Sequence, residues 1–235
     1  GRIGTLTGDD YNLGPDIVVT AQKKAESIQT VPIAITAITS RSLDDKKIET
    51  GRDLLRVVPN LNLTKTFSSM YNITIRGIGT KALNASSDPG VAVAYNNIPL
   101  IRNRLFEQEF FDLERIEVLR GPQGTLYGRN ATAGVVNLLP SLPKHRMEGE
   151  LKAETGNYGS RRLSGMINMP LGNDFALRAA GAWTGRRGYD FNEYTGKHVN
   201  GRNLWSTRVS TLWDVGDKVR LTAIWEHFRE EDDRA

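Results

Sequence analysis

Phe175-Ala176-Leu177-Arg178-Ala179-Ala180-Gly181-Ala182-Trp183-Thr184-Gly185-Arg186 alternates with a period of two. Its odd positions, Phe175, Leu177, Ala179, Gly181 and Trp183, are apolar or small, whereas Arg178, Thr184 and Arg186 stand at even ones. Successive side chains of a strand point to opposite faces, so the stretch reads as a β-strand with one apolar and one polar face. Four other segments repeat it. Upstream, Met147, Gly149, Leu151, Ala153 and Thr155 oppose Glu148, Glu150, Lys152 and Glu154, and Leu163, Gly165, Ile167 and Met169 oppose Arg162, Ser164 and Asn168. Downstream, Trp205, Thr207, Val209, Thr211 and Trp213 oppose Ser206, Arg208 and Ser210, and Val219, Leu221, Ala223 and Trp225 oppose Arg220, Thr222 and Glu226.

Successive segments of about ten residues with this dyad pattern are the signature of a transmembrane β-barrel. Phe175, Trp183, Trp205, Trp213 and Trp225 read as aromatics near segment ends, as in interfacial girdles. Connections 170–174 and 214–218 are short and 187–202 is long, the rhythm of inner turns and outer loops. A soluble antiparallel sheet with one face on a core shares the alternation, so the pattern alone leaves both architectures open. Arg208, in mid-strand on the polar face, suits a wet lumen. The smallest membrane barrels have about eight strands, so these five segments are expected to be part of a longer protein. Arg229-Glu230-Glu231-Asp232-Asp233 would then open an outer loop.

Ahead of the alternating region, residues 31–143 read as a small α/β domain. Pro32 to Ile38, Leu61 to Leu63, Asn72 to Ile75, Val91 to Tyr95 and Arg115 to Leu119 are the expected strands. Ser40 is placed to cap a short helix running to Lys47. Thr50-Gly51-Arg52-Asp53 fits a capping box, followed by an apolar helix of Leu54, Leu55, Val57 and Val58 that Pro59 stops. Asn96-Asn97 suits a tight turn, because asparagine tolerates positive φ. Residues 78–90 read as a surface loop. Arg76-Gly77-Ile78-Gly79-Thr80-Lys81-Ala82 matches a loose dinucleotide fingerprint, but no amphipathic helix follows it, and nucleotide binding is rejected.

The decisive run is Ile116-Glu117-Val118-Leu119-Arg120-Gly121-Pro122-Gln123-Gly124-Thr125-Leu126-Tyr127-Gly128-Arg129-Asn130-Ala131-Thr132-Ala133-Gly134-Val135-Val136-Asn137. It resembles the plug-domain signature of TonB-dependent receptors: a strand ending in Arg-Gly-Pro, a Tyr-Gly turn, a small-residue turn and a final strand. Ile75-Arg76-Gly77 resembles the family's Ile-Arg-Gly motif. Asn157-Tyr158 and Leu177-Arg178 resemble its early barrel strands, and the likeness spans roughly residues 16–230. Asn96-Asn97 departs from the Asp-Gly usual in similar receptors, which puts any ion-pair role at that turn in doubt.

The resemblance implies a plug, a small mixed sheet with short helices, followed by the first antiparallel strands of a transmembrane barrel. The full barrel would have about 22 strands, wide enough to need a plug. It divides the chain into a leader over 1–30, a plug over 31–143 and barrel strands over 144–235. Asp16-Ile17-Val18-Val19-Thr20-Ala21 resembles the TonB box, the segment that pairs with the energy-coupling protein TonB. From the residues alone this short β-prone run suits either strand addition to a partner or an edge strand of the next domain. Arg76, Arg120, Glu117 and Arg129 are the expected plug–barrel contacts, with Glu148, Glu150 and Glu154 as candidate carboxylate partners. Phe67, Tyr71, Lys81 and Arg104 are candidate ligand contacts. The implied activity is active import of a scarce, bulky nutrient, an iron chelate, cobalamin or a glycan, through the bacterial outer membrane. The implied partners are TonB, outer-membrane lipid and a small-molecule or oligosaccharide ligand. A soluble ligand-binding module without a barrel is the alternative. The short stretch before Asp16 argues against an N-terminal signalling domain.

The remaining chemistry narrows the field. The 235 residues include no cysteine, which removes disulfides, zinc–thiolate sites and a cysteine nucleophile. A net charge of +4 is spread along the chain rather than gathered in a basic stripe, so no nucleic-acid partner is expected. His145, His198 and His227 lack ligand spacing, and no G-x-S-x-G elbow occurs. Neither an enzyme activity, a metal nor a cofactor is expected. The sequons at Asn62, Asn72, Asn84 and Asn130 are read as chance.

Overall fold

The computed structural model describes residues 18–19, 26–27, 34–65, 71–79, 90–100, 109–127, 131–188, 190–194, 196–199, 201–216 and 218–231. They fall into two compact units, divided along the chain between Ser141 and Leu142. In the first unit the strands are β1 (Val18–Val19), β2 (Glu26–Ser27), β3 (Ala34–Thr39), β4 (Leu61–Lys65), β5 (Tyr71–Ile75), β6 (Val91–Tyr95), β7 (Ile98–Pro99), β8 (Leu113–Arg120) and β9 (Gly134–Pro140). Two short helices, α1 (Ser40–Asp45) and α2 (Gly124–Tyr127), and a 3-10 turn at Asp53–Arg56 complete it.

A five-stranded sheet of order β3-β8-β9-β6-β7 organises this unit, with β6 and β9 parallel and the other pairs antiparallel. Its two faces differ. One carries Ile38, Ile116, Val118, Val136, Leu138, Val91 and Val93, packed with Leu43, Leu54, Val58, Ile73 and Ile75 into the main core. Each such large side chain contributes roughly 1.5–3 kcal/mol through burial. The other face is built from small residues, Ala37, Ala92, Ala94 and Ala131, with Leu119, Val135 and Tyr127.

Local chemistry sets the helix ends. Thr39, not Ser40, caps α1: its Oγ1 accepts from the Ser42 N–H at 3.4 Å. The helix stops at Asp45, short of Lys47, which turns to φ +50. Half of the expected capping box forms: Asp53 Oδ2 accepts from the N–H groups of Glu49 and Thr50 and from Thr50 Oγ1, but the Asp53 N–H goes to the Thr50 carbonyl rather than to its hydroxyl. The segment behind it is a single 3-10 turn rather than a helix to Val58, because Pro59 leaves too few residues for α-helical bonds to accumulate.

The second unit is one antiparallel sheet in sequence order, β10 (Glu148–Thr155), β11 (Arg161–Pro170), β12 (Phe175–Arg186), β15 (Arg202–Val215) and β16 (Val219–Glu230). The long connection between β12 and β15 folds a separate hairpin, β13 (Asp190–Asn192) with β14 (Lys197–Val199). Short turns at the other end rest on Gly172 and Gly216, at φ +86 and +62. Trp225 departs from the expectation of an aromatic near a segment end. It is paired with Val209 in the middle of its strand, because the β15–β16 register aligns the two segments along their lengths. Trp183 and Trp205 do form a cross-strand pair, their rings 5.8 Å apart, and Phe175 faces Trp213 near the other end.

Candidate functional site

In the first unit the signature run becomes a tight reversal between two central strands. β8 ends at Arg120, and Gly121 at φ +107 donates its N–H to the Ala133 carbonyl at 3.0 Å. Gln123 N–H reaches the Ala131 carbonyl at 2.8 Å, so the chain closes on itself around α2. That single turn drops Tyr127 into the small-residue cluster. Gly134 opens β9 where a Cβ would lie 2.4 Å from the Leu119 carbonyl oxygen and 2.7 Å from Ile75 Cδ1, so glycine is required there. The order strand, Arg-Gly-Pro, Tyr, glycine, strand is therefore a packing solution.

Across the small face runs one register row: Ala37 on β3, Glu117 on β8, Asn137 on β9 and Ala94 on β6. All four are buried, with Glu117 at 0% exposure. The Glu117 carboxylate accepts from Arg115 Nε at 2.8 Å, and Arg115 also reaches Glu114 at 2.6 Å. Burial, and then the charge of Glu117, push the Tyr127 phenol up to about 12. Asn137 Nδ2 donates to Asn97 Oδ1 at 2.8 Å, and the Asn97 N–H donates to Asn137 Oδ1. The Asn96-Asn97 turn, at φ +47 and +65, is thus a left-handed hairpin turn held by a side chain of the central sheet. Arg76-Gly77 forms a similar turn, at φ +54 and +76, closed by hydrogen bonds between Ile75 and Ile78. Gly79 lies so close to Ile73 and Thr74 that a Cβ would overlap the backbone at 2.6 Å. This glycine pattern serves a hairpin, not a phosphate cradle.

Of the expected contact residues, Arg76 is an exposed turn residue, Arg120 donates to Thr36 Oγ1 at 3.0 Å, and Glu117 sits in the buried row. Arg129, Phe67, Lys81 and Arg104 lie outside the described residues. Tyr71 opens β5 opposite Lys65. Of the coupling segment, Val18 and Val19 pair with Ser27 and Glu26 in a small sheet of their own; Asp16, Ile17, Thr20 and Ala21 lie outside the described residues.

The second unit has its polarity reversed relative to a soluble sheet. On β15 the apolar residues Trp205, Val209 and Trp213 are 51%, 37% and 51% exposed, while Arg208 between them is 3% exposed. On β12 Arg178 is buried and the odd positions are half-exposed. The even face satisfies its charges within the sheet: Arg178 with Glu148 at 3.2 Å, Arg208 with Glu226 at 3.5 Å, Lys152 with Glu150 at 2.8 Å and Arg162 with Glu154 at 3.9 Å. The carboxylates expected to receive plug arginines each have a cation of their own sheet. The alternation puts Asn168 on the polar face of β11 but gives no sign of its role. Its side chain bonds the Lys144 N–H and the Lys144 and Arg146 carbonyls, anchoring the segment that enters β10.

At the end of this sheet that carries the β13–β14 hairpin lies a cleft of about 930 Å³. Four connections build it. Tyr158 and Gly159 come from the β10–β11 turn, Arg186, Arg187 and Gly188 from the end of β12, His198, Gly201, Arg202 and Asn203 from the hairpin's return, and Glu231 follows β16. It too was missed, because Arg186 and Arg202 meet only once the hairpin closes.

An apolar face turned outward on a row of antiparallel strands, with paired charges on the other face, is the pattern of an outer-membrane β-barrel. The TonB-dependent receptor plug domain matches residues 27–135. Over those residues the chain carries the plug domain of the TonB-dependent receptors, and its relatives and structural neighbours are receptors of that kind. It is 26% identical over 208 residues to the pesticin receptor of Yersinia pestis, covering 87% of this chain and 29% of that protein. With the ferripyoverdine receptor of Pseudomonas aeruginosa it shares 25% over 172 residues, 72% of this chain and 20% of the other. The solved structure of the ferric yersiniabactin uptake receptor of Yersinia pestis superposes with a TM-score of 0.72 at 23% identity, over 82% of this chain and 30% of that one. The chain thus spans less than a third of the length of these relatives.

Proposed function

We propose that this chain is the front of an importer that carries a scarce, bulky nutrient across the outer membrane, driven through TonB. The plug and N-terminal segment would face the periplasm, with Asp16 to Ala21 as the coupling strand. The observation that carries the reading is the reversed polarity of β12 and β15, which suits lipid outside and water inside, behind a plug fold with the family's glycine-dependent reversal. The same reversal disfavours a soluble binding module, whose apolar face would be buried. The family consists of receptors and transporters rather than enzymes. Relatives named for ferripyoverdine and vitamin B12 support a ligand of iron-chelate or cobalamin size.

The β1–β2 pair supports the coupling role, because it stands apart from the five-stranded sheet and β1, paired to β2 along one edge, can take a partner's strand along the other. Deleting residues 16–21 from the full-length receptor is expected to abolish energy-driven uptake while leaving outer-membrane assembly and ligand binding intact. Uptake at the wild-type rate in the deletion strain would overturn the assignment.

A further inference from the structure

The outward, apolar face of the second sheet is charged at one end only. It consists of the odd positions of β10, β11, β12, β15 and β16, and among the described residues of these strands it carries two full charges, Arg161 and Arg229. Both are exposed, and both lie at the end of the sheet that carries the β13–β14 hairpin. Arg187, the next odd position after β12, adds a third exposed guanidinium there. Its N–H donates to the Tyr158 carbonyl at 3.3 Å, and its stem runs along Gly159, where a Cβ would lie 3.6 Å from Arg187 Cδ. Register groups the three. Arg161 pairs with Gly185, which makes Arg187 its diagonal neighbour across β11 and β12, a spacing of roughly 7–8 Å that two long side chains span. Arg229 is the cross-strand partner of Trp205. Glu231 ion-pairs with Arg229 and offsets one of the three charges.

The residues next to these arginines fit the boundary of a bilayer. Trp183 and Trp205 form their cross-strand pair one level further into the apolar band than Arg161. Indole rings favour places where an apolar body meets a wet edge. Trp183 meets that condition: its Nε1 donates to Asn203 Oδ1 at 3.0 Å, and its ring leans over Gly185, where a Cβ would lie 2.8 Å from Trp183 Cζ2. The glycine opposite Arg161 thus gives the ring its room. Beyond the tryptophans the outward face continues with exposed Leu163, Ile167 and Val209. At the short-turn end it closes on Phe175, Trp213 and Val219, with no charged residue among the outward positions of the strands. From the hairpin end the order is arginine, tryptophan, aliphatic side chain. That order matches phosphate, interface and acyl chain.

Resting on the outer-membrane reading above, we infer that this rim is a docking site for a phosphate-bearing lipid of the outer leaflet, its phosphate held by Arg161 and Arg187 with Arg229 alongside, and its acyl chains on the apolar face beneath. Planar guanidinium forks bind phosphate oxygens through paired hydrogen bonds. Basic side chains at a membrane surface also draw anionic headgroups out of a mixed bilayer. The long β12–β15 connection marks this end as the outer one in a membrane barrel. A soluble anion would meet the same guanidinium groups but would leave the neighbouring apolar face unused, so the occupant is a lipid.

The test titrates the full-length receptor in detergent with diphosphoryl lipid A and with phosphatidylcholine, and counts bound lipid by native mass spectrometry. Lipid A is expected to bind at least tenfold more tightly than phosphatidylcholine, and less tightly as salt is added. Pyrophosphate, which has the charge without the chains, should not displace it at equal concentration. Arg161→Gln with Arg187→Gln should weaken lipid A binding at least tenfold and leave phosphatidylcholine unchanged, and lysine at both positions should restore part of the loss. Lys218→Gln, which removes a charge from the short-turn end, should have no effect. Heat-modifiable gel migration confirms that each variant is folded. Equal binding of the two lipids, an unaffected Gln pair, an equal loss in Lys218→Gln, or displacement by pyrophosphate overturns the inference. The outer-membrane reading fails separately, through a nitroxide label at Val209 that only a water-soluble relaxing agent reaches. Oxygen access at Val209 together with equal binding of the two lipids would keep that reading and lose the site.

Discussion

Arg115→Met should loosen the plug far more than Glu117→Met, and the asymmetry follows from what each substitution leaves behind. Glu117 is fully buried and takes a hydrogen bond from Arg115 at 2.8 Å, while Arg115 has a second acid, the half-exposed Glu114, at 2.6 Å. Removing Arg115 takes a cation at 2.8 Å away from a carboxylate in the centre of the sheet, at a cost of about 3–5 kcal/mol. Removing Glu117 leaves Arg115 paired with Glu114 near water, at about 1–3 kcal/mol. The double substitution takes out both charges and should cost less than Arg115→Met alone, since a buried pair replaced by apolar groups of similar volume is often near neutral. Amide hydrogen exchange in β8 and β9 of the full-length receptor reads the difference. At about 1.4 kcal/mol per power of ten, Arg115→Met should speed exchange there by roughly two to three and a half orders of magnitude. Equal costs for the two single variants, or a double variant equal to their sum, would refute the reasoning by showing that Glu117 does not depend on Arg115.

Tyr127 gives the plug an alkaline limit. Its pKa is raised from 10.0 to about 12, so its contribution is full below pH 10 and is lost as pH rises through 12; it amounts to about 2–3 kcal/mol. Tyr127→Phe should remove that step from plug exchange followed against pH, and an unchanged profile would place the loss elsewhere. In the barrel unit, Val209→Arg should cut outer-membrane assembly, with a cost of roughly 2–4 kcal/mol near mid-bilayer, whereas Ser210→Arg should be much milder. Nitroxide labels at Val209, Ser210 and Thr211 sharpen the comparison: lipid-soluble oxygen should reach Val209 and Thr211, and access of a water-soluble relaxing agent to all three would rule out a membrane-crossing strand.

The strands were legible because alternation is a local property. Every barrel strand was expected within a few residues of where it lies, and Asn96-Asn97 announced its turn through its tolerance of positive φ. What depends on register was hidden. The level of Trp225 follows from its alignment with Val209, and the meeting of Arg186 with Arg202 follows from a hairpin closing the chain between them. Gly77 and Gly79 imitated a nucleotide loop because tight hairpins and phosphate cradles both exploit glycine. The role of Asn137 was hidden for another reason: an asparagine within Val135-Val136-Asn137-Leu138 shows its purpose only beside Asn97.

The reversed polarity of β12 and β15 also inverts the rules of mutational tolerance. In a water-soluble sheet, replacing an exposed Trp205, Val209 or Trp213 with a charged residue would be harmless and would often aid handling. Here those positions are the costly ones, and leucine or phenylalanine in their place should pass unnoticed. Conversely, an apolar residue at buried Arg178 or Arg208, the usual choice for an interior site, would take one ion-pair partner from Glu148 or Glu226. Any stabilisation scheme that grades substitutions by burial alone would therefore rank this half of the chain backwards.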